Sequence, residues 1–282
     1  MLKKILYADS GADNARDMLK FLLQLPALAG SEVSILQVIS PRTKQEEENA
    51  TQQANDKIAE LVEKLDIYNS KIISKISEGE PKTTVLNVAQ EINADLIIMG
   101  SRGLGKLQSI LSNSVSQYVF QLTDRSMLLV KDDIYVKRLK RVMVAMDKSP
   151  AAQYALDLTL FLLQGYKDAE IFLTRVNPDL QPGIVLSPED MENNPILAPA
   201  VAKVKRMGFE YKCIVTGGRP AQQICKLAEE NNIDLLTIGS PERRPSIAKS
   251  LPDIDRLLGS SLSDYIRIKA NCPVLLARQE ED

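Results

Sequence analysis

The stretch Asp95-Leu96-Ile97-Ile98-Met99-Gly100 returns later in the chain as Asp234-Leu235-Leu236-Thr237-Ile238-Gly239. Each is a short apolar run opened by aspartate and closed by glycine. A parallel strand with both faces covered needs such a run. Working backwards, residues 72–100 align without a gap on 211–239, with about eight identities that include Gly79/Gly218, Pro81/Pro220 and Ala89/Ala228. Further out, residues 4–10 parallel 142–148, each a β-rich run reaching an aspartate, Asp9 and Asp147. Residues 126–130 likewise parallel 272–276. The chain reads as one unit written twice, with an insertion in the second copy after Gly239.

Within each copy strands alternate with helices. The pattern predicts strands over 3–9, 33–39, 71–77, 95–99 and 126–131, and helices over 12–24, 45–65, 82–93 and 113–122. In the second helix Ile58, Leu61, Val62 and Leu65 fall on one face at the helical period. The second copy predicts strands over 141–147, 170–176, 211–216, 234–238 and 273–277. This rhythm gives an α/β fold, two tandem open five-stranded parallel sheets with helices on both faces. The first domain spans 1–131, a short polar linker 132–140 and the second domain 141–282. Ligands of such sheets gather at the carboxyl ends of the strands, at a topological switch. Asp9 and Gly100 stand there in the first copy, Asp147 and Gly239 in the second.

Composition narrows the function. The 282 residues carry 35 Lys+Arg against 37 Asp+Glu, a net charge of -2 that argues against a dedicated nucleic-acid binder. Histidine is absent, which removes His triads, His bases and His metal sites. Mean hydropathy is -0.13, and no apolar run approaches the ~20 residues that span a bilayer, so no membrane role is expected. Met1-Leu2-Lys3-Lys4-Ile5 runs directly into a strand pattern without a cleavage site, so no signal peptide is expected. Cys213, Cys225 and Cys272 form no CxxC pair and read as small apolar residues of a reduced, cytoplasmic protein.

The most informative segment follows the fourth strand: Gly100-Ser101-Arg102-Gly103-Leu104-Gly105-Lys106, continuing to Asn113-Ser114-Val115-Ser116. Glycines let backbone pass close to a ligand. Asn113 or Ser114 can cap a helix whose free N–H groups favour a phosphate, and the Ser114 and Ser116 hydroxyls add donors. An ordinary glycine-bearing loop before a well-capped helix fits the same residues.

These residues resemble the universal stress protein family in its tandem two-domain form, of the adenine-nucleotide α-hydrolase-like architecture. Its nucleotide-binding members carry Gly-x2-Gly-x9-Gly-(Ser/Thr) after strand four. Gly100-x2-Gly103-x9-Asn113-Ser114 matches it except at Asn113, a residue that tolerates the left-handed turn but adds bulk near a phosphate. Ala8-Asp9-Ser10 is similar to the family's Val-Asp-(Gly/Ser), whose aspartate contacts the nucleoside, and Val38 to the strand-two backbone that meets adenine. The resemblance implies an adenine nucleotide, ATP or AMP, with Mg2+ carried on the phosphates, held mainly in the first copy. The implied site there is Asp9, Ser10, Val38, Gly100, Arg102, Gly103, Asn113, Ser114, Val115 and Ser116. The family's pairing through the last strand implies an intramolecular pseudo-dimer, and a homodimer of whole chains is open.

The second copy departs further. Asp147 and Gly239 are present and Gly259-Ser260-Ser261 ends the motif, but Glu242 replaces the second glycine and about seven extra residues intervene. Arg243 and Arg244 in that insert could serve as bidentate phosphate donors, or the insert is a solvated loop. Arg175 is aligned with Val38, which remodels the adenine side.

Other readings are weaker. Ser10-Gly11-Ala12-Asp13-Asn14 resembles the pyrophosphate loop of ATP-splitting ligases but lacks its second glycine and final serine, which leaves Asp13 as a helix-start acid. A phosphoacceptor receiver lacks its paired acids. Glu46-Glu47-Glu48 reads as the exposed first turns of the second helix. No general base for rapid hydrolysis is evident, so the expectation is a non-enzymatic nucleotide binder in stress response or signalling. An interaction scaffold with vestigial or differently specific pockets stands as the alternative.

Overall fold

The computed structural model describes residues 2–66, 69–101, 114–134, 138–181, 186–240 and 261–279. The chain divides into two compact units at residues 137 and 138.

In the first unit the order is β1 (Lys4–Ala8), α1 (Asp13–Leu23), β2 (Glu32–Ile39), α2 (Lys44–Leu65), β3 (Lys71–Glu78), α3 (Pro81–Glu91), β4 (Leu96–Ser101), α4 (Val115–Leu122) and β5 (Ser126–Lys131). Its strands lie β3-β2-β1-β4-β5, all parallel. The second unit has β6 (Arg141–Ala145), α5 (Pro150–Leu162), β7 (Glu170–Asn177), α6 (Pro188–Glu192), α7 (Leu197–Arg206), β8 (Glu210–Gly217), α8 (Pro220–Glu230), β9 (Leu235–Gly239), α9 (Leu262–Lys269) and β10 (Val274–Ala277). Its order, β8-β7-β6-β9-β10, repeats that of the first, again parallel. The α/β class is as expected, and element limits differ from the sequence reading by at most two residues.

The apolar runs that open the argument sit at the centre of each sheet. Leu96, Ile97 and Ile98 are wholly buried, as is Leu236. The aspartates that precede them clamp the neighbouring strand. Asp95 Oδ2 accepts from the backbone N–H groups of Lys3 and Lys4, and Asp234 Oδ2 from those of Lys140 and Arg141. On α2 the buried stripe is Ala54, Ile58, Leu61 and Leu65, whereas Val62 is 36% exposed. Val62 therefore lies on the flank, one residue round from the stripe the sequence suggested, because the 100° step from Leu61 carries it off the sheet. Thr43 caps α2 by accepting from Glu46 N–H, and Glu46, Glu47 and Glu48 are exposed as expected.

Strand pairing corrects two sequence alignments. Asp95 and Asp234 mark Lys4 and Arg141 as counterparts, since each aspartate's N–H donates to that residue's carbonyl. Ala8 pairs with Leu36 and Ala145 with Thr174. Ala12 and Ser149 are the N-caps of α1 and α5. Asp9 therefore stands where Met146 stands, and Asp147 one residue later, at the place of Ser10. On β7, Arg175 occupies the place of Gln37 and Val176 that of Val38. A one-residue slip inverts side-chain facing in a strand, so these differences change the chemistry of each site.

Candidate functional site

In each unit the chain crosses the sheet between β1 and β4, or β6 and β9. The connections that leave the carboxyl ends of those strands diverge at such a switch point, and a crevice lies there. The crevice of the first unit has a volume of about 590 Å³. Its lining combines the apolar side chains of Leu36, Val38, Val85 and Met99 with the serines Ser10, Ser101, Ser114 and Ser116 and the exposed Asp132. Of the residues singled out by sequence, Asp9, Ser10, Val38, Gly100, Ser114, Val115 and Ser116 all line this crevice. Arg102, Gly103 and Asn113 lie outside the described residues.

Ser114 supplies the cap of α4. Its Oγ accepts from Gln117 N–H at 3.2 Å and lies 3.4 Å from Ser116 Oγ. The hydroxyls and the open first turn of the helix thus face one space, an arrangement that accepts an anion. Gly100 owes its lack of side chain to packing: a Cβ there would lie 2.8 Å from Ser10 Oγ and 3.2 Å from Ala12 Cβ. The β1–α1 turn therefore sits directly over the end of β4, with the Ser10 hydroxyl on the crevice floor.

Asp9 enters this lining but its carboxylate does not serve it. The side chain has no exposure, and Arg16 holds it with Nη2 at 2.7 Å from Oδ2 and Nε at 3.2 Å from Oδ1. Gln37 Nε2 donates to Oδ2 at 2.7 Å, and the Tyr7 hydroxyl and Gly11 N–H donate to Oδ1 at 3.1 and 3.0 Å. Burial by itself would raise the Asp9 carboxyl, but hydrogen bonds from Arg16 and Gly11, with the Arg16 charge, outweigh it and hold it below the ordinary value. Burial, with the Asp9 charge, raises the Tyr7 phenol, which stays neutral. The Asp9 carboxylate, expected to contact a nucleoside, is thus engaged by an internal ionic cluster. Sequence reading missed Tyr7, Arg16 and Gln37; the i, i+2 spacing of Tyr7 and Asp9 on one strand face was the available signal.

The second unit's crevice has a volume of about 370 Å³ and includes Asp147, Lys148, Thr174, Arg175, Gly239 and Ile224 in its lining. Asp147 is exposed; its Oδ1 accepts from Ser149 N–H at 2.8 Å and Ser149 Oγ at 2.5 Å, and its Oδ2 has no partner among the described residues. Gly239 is held to glycine by backbone, since a Cβ would lie 2.4 Å from the Ala151 carbonyl carbon. Ser261 caps α9 by accepting from Asp264 N–H. Ser261 is thus the counterpart of Ser114, which moves the end of the second motif one residue beyond the aligned Gly259-Ser260 pair. Gly259, Ser260, Glu242, Arg243 and Arg244 lie outside the described residues.

No described helix is long and apolar enough to cross a membrane, and no described group of three or more His, Cys, Asp or Glu could hold a metal ion. Among the cysteines, Cys213 and Cys272 are buried and Cys225 is half-buried.

The family model described as "Universal stress protein family" matches residues 1–131 and again 138–278. The chain belongs to the universal stress protein family. A universal stress protein of Methanocaldococcus jannaschii, MJ0577, is 28% identical over 155 residues, which covers 46% of this chain and 96% of that protein. Universal stress protein Sll1654 of Synechocystis is 31% identical over 135 residues, covering 46% of this chain and 86% of that protein. The fold repeats that of a universal stress protein from Archaeoglobus fulgidus, with a TM-score of 0.75 at 21% identity over 99% of this chain and 100% of that one. As a universal stress protein with two family matches, this chain is a tandem member.

Proposed function

We propose that this tandem universal stress protein binds an adenine nucleotide, ATP or AMP, mainly in the crevice of its first unit, as a non-enzymatic stress or signalling protein. The observation that carries the reading is the mixed lining of one crevice. It brings the apolar side chains of Leu36, Val38, Val85 and Met99 together with the serine hydroxyls of Ser10, Ser101, Ser114 and Ser116 beside the first turn of α4. A planar base gains from the apolar side chains and a phosphate from the hydroxyls and the open helix turn. The greater volume, about 590 Å³ against 370 Å³, favours the first unit. Ser10, Ser114 and Ser116 are the side chains assigned to the ligand, with backbone at Val38 toward the base, and Mg2+ would arrive with the phosphates of ATP. Calorimetric titration of the full chain tests the reading: AMP or ATP should release heat and raise the melting temperature, and silence at millimolar nucleotide overturns it. The pseudo-dimer belongs to the same proposal, and sedimentation distinguishes a 31.3 kDa monomer from a homodimer.

A further inference from the structure

The second crevice carries its charges in a different place from the first. Lys148, in the turn between β6 and α5, and Arg175, near the end of β7, both line it. Gly11 and Gln37 stand at those places in the first unit, as the N-caps Ala12 and Ser149 and the pairs Ala8–Leu36 and Ala145–Thr174 fix. Neither Lys148 nor Arg175 makes a hydrogen bond or ion pair among the described residues. Next to Arg175, Thr174 takes the place of the apolar Leu36 in the lining. It is 1% exposed, and its Oγ1 has no hydrogen-bond partner among the described residues. The helix that closes the motif has changed in the opposite sense. Ser114 accepts from the N–H of Gln117 in α4, whereas Ser261 accepts from that of Asp264 in α9. The buried Asp264 carboxylate accepts from the Ser261 hydroxyl at 3.3 Å and lies 3.7 Å from Arg267. A helix start that holds its own acid attracts an added anion less. β7 lies on one side of β6, and β9 and β10, between which α9 falls in the chain, lie on the other.

We propose that the second crevice is an anion site anchored on its β7 side: it takes a small phosphate-bearing molecule, whose phosphate sits on Arg175 and Lys148 and not at the first turn of α9. This goes beyond the nucleotide reading of the first unit and does not depend on it. The Arg175 guanidinium engages two phosphate oxygens at once, and Lys148 adds a second charge. The Thr174 hydroxyl supplies a further donor in the same lining. Asp147, exposed in that lining, opposes an anion, so two cations act against one carboxylate and the affinity is modest. The volume of about 370 Å³ suits a smaller ligand than the 590 Å³ of the first crevice.

The test uses the full chain with labelled valine and leucine methyl groups. Val176 on β7 and Leu262 at the start of α9 both line the crevice and report its two sides. The probes are inorganic phosphate and glycerol 3-phosphate, each against sodium chloride at equal ionic strength. Both should bind with a dissociation constant on the order of 1 mM and shift Val176 more than Leu262. A tighter ester marks a phosphomonoester as the ligand, and equal affinity marks the free anion; either supports the site. Arg175→Gln should weaken binding about tenfold and Lys148→Gln about threefold, whereas Asp147→Asn should tighten it about threefold. These side chains are exposed or half-buried, so the variants should melt within about 3 °C of the parent. Shifts no larger than those from chloride at about 50 mM probe, shifts centred on Leu262, or an affinity unmoved by Arg175→Gln would each overturn the inference. An Asp147→Asn variant that binds phosphate more weakly would overturn it too, because a charge opposing the anion cannot act in that direction.

Discussion

Replacing Arg16 with methionine removes two hydrogen bonds and the countercharge from a carboxylate that has no exposed side-chain surface. Breaking a buried ion pair from one side costs about 3–5 kcal/mol, because the remaining charge stays buried. Asp9 would retain donors from Gln37, Tyr7 and Gly11, which places Arg16→Met toward the lower end, about 3 kcal/mol. For a unit of this size that corresponds to a melting-temperature fall on the order of 10 °C. The second unit supplies the control, because Val144 and Met146 stand at the places of Tyr7 and Asp9 and are both buried. The triple variant Tyr7→Phe, Asp9→Met, Arg16→Met should therefore recover to within about 1 kcal/mol of the parent, as apolar replacement of a buried pair commonly does. Urea unfolding followed by circular dichroism, with calorimetry to resolve the two units, measures each. The pH dependence follows from the depressed Asp9 carboxyl. Its stabilisation is complete above the unfolded carboxylate value of about 4 and is lost as pH falls through the lower folded value. The parent's acid sensitivity in this window should thus be blunted in the triple variant. A loss below about 1 kcal/mol for Arg16→Met, or a triple variant as unstable as the single, would refute the cluster as the reason Asp9 is turned inward.

Two further predictions concern the core. Gly239→Ala should destabilise the second unit by about 2–3 kcal/mol, since the new Cβ meets the backbone of Ala151 and Ala152 at 2.4–2.7 Å. Gly100→Ala should cost less, because the 2.8 Å contact is to the rotatable Ser10 hydroxyl; equal losses in calorimetry would contradict this. Burial, reinforced by the Glu192 charge, pushes the Cys213 thiol up to about 11. Disulfide exchange at pH 8 should therefore modify the half-buried Cys225 first and reach Cys213 only on unfolding, and prompt labelling of Cys213 by mass spectrometry would contradict the burial.

The fold was legible because repetition and periodicity are local properties. Apolar runs such as residues 95–100 and 234–239 announce a central parallel strand wherever they occur, and the alternation with helices leaves few topologies. Gly100, Ser114 and Ser116 were also legible as crevice residues, because position after a strand and before a helix is read directly from the pattern. The facing of Asp9 was not. A β-strand inverts its side chains at every step, so a one-residue difference between two similar runs leaves the letters aligned and the chemistry reversed. The sequence alone determined that two α/β units of one design exist, where the crevice at the carboxyl ends of their strands lies and which polar residues gather there. Tertiary structure alone decided that the Asp9 carboxylate is enclosed while that of Asp147 is exposed, because that depends on the strand register fixed by Asp95 and Asp234 and on Arg16, in the first turn of α1, pairing with Asp9.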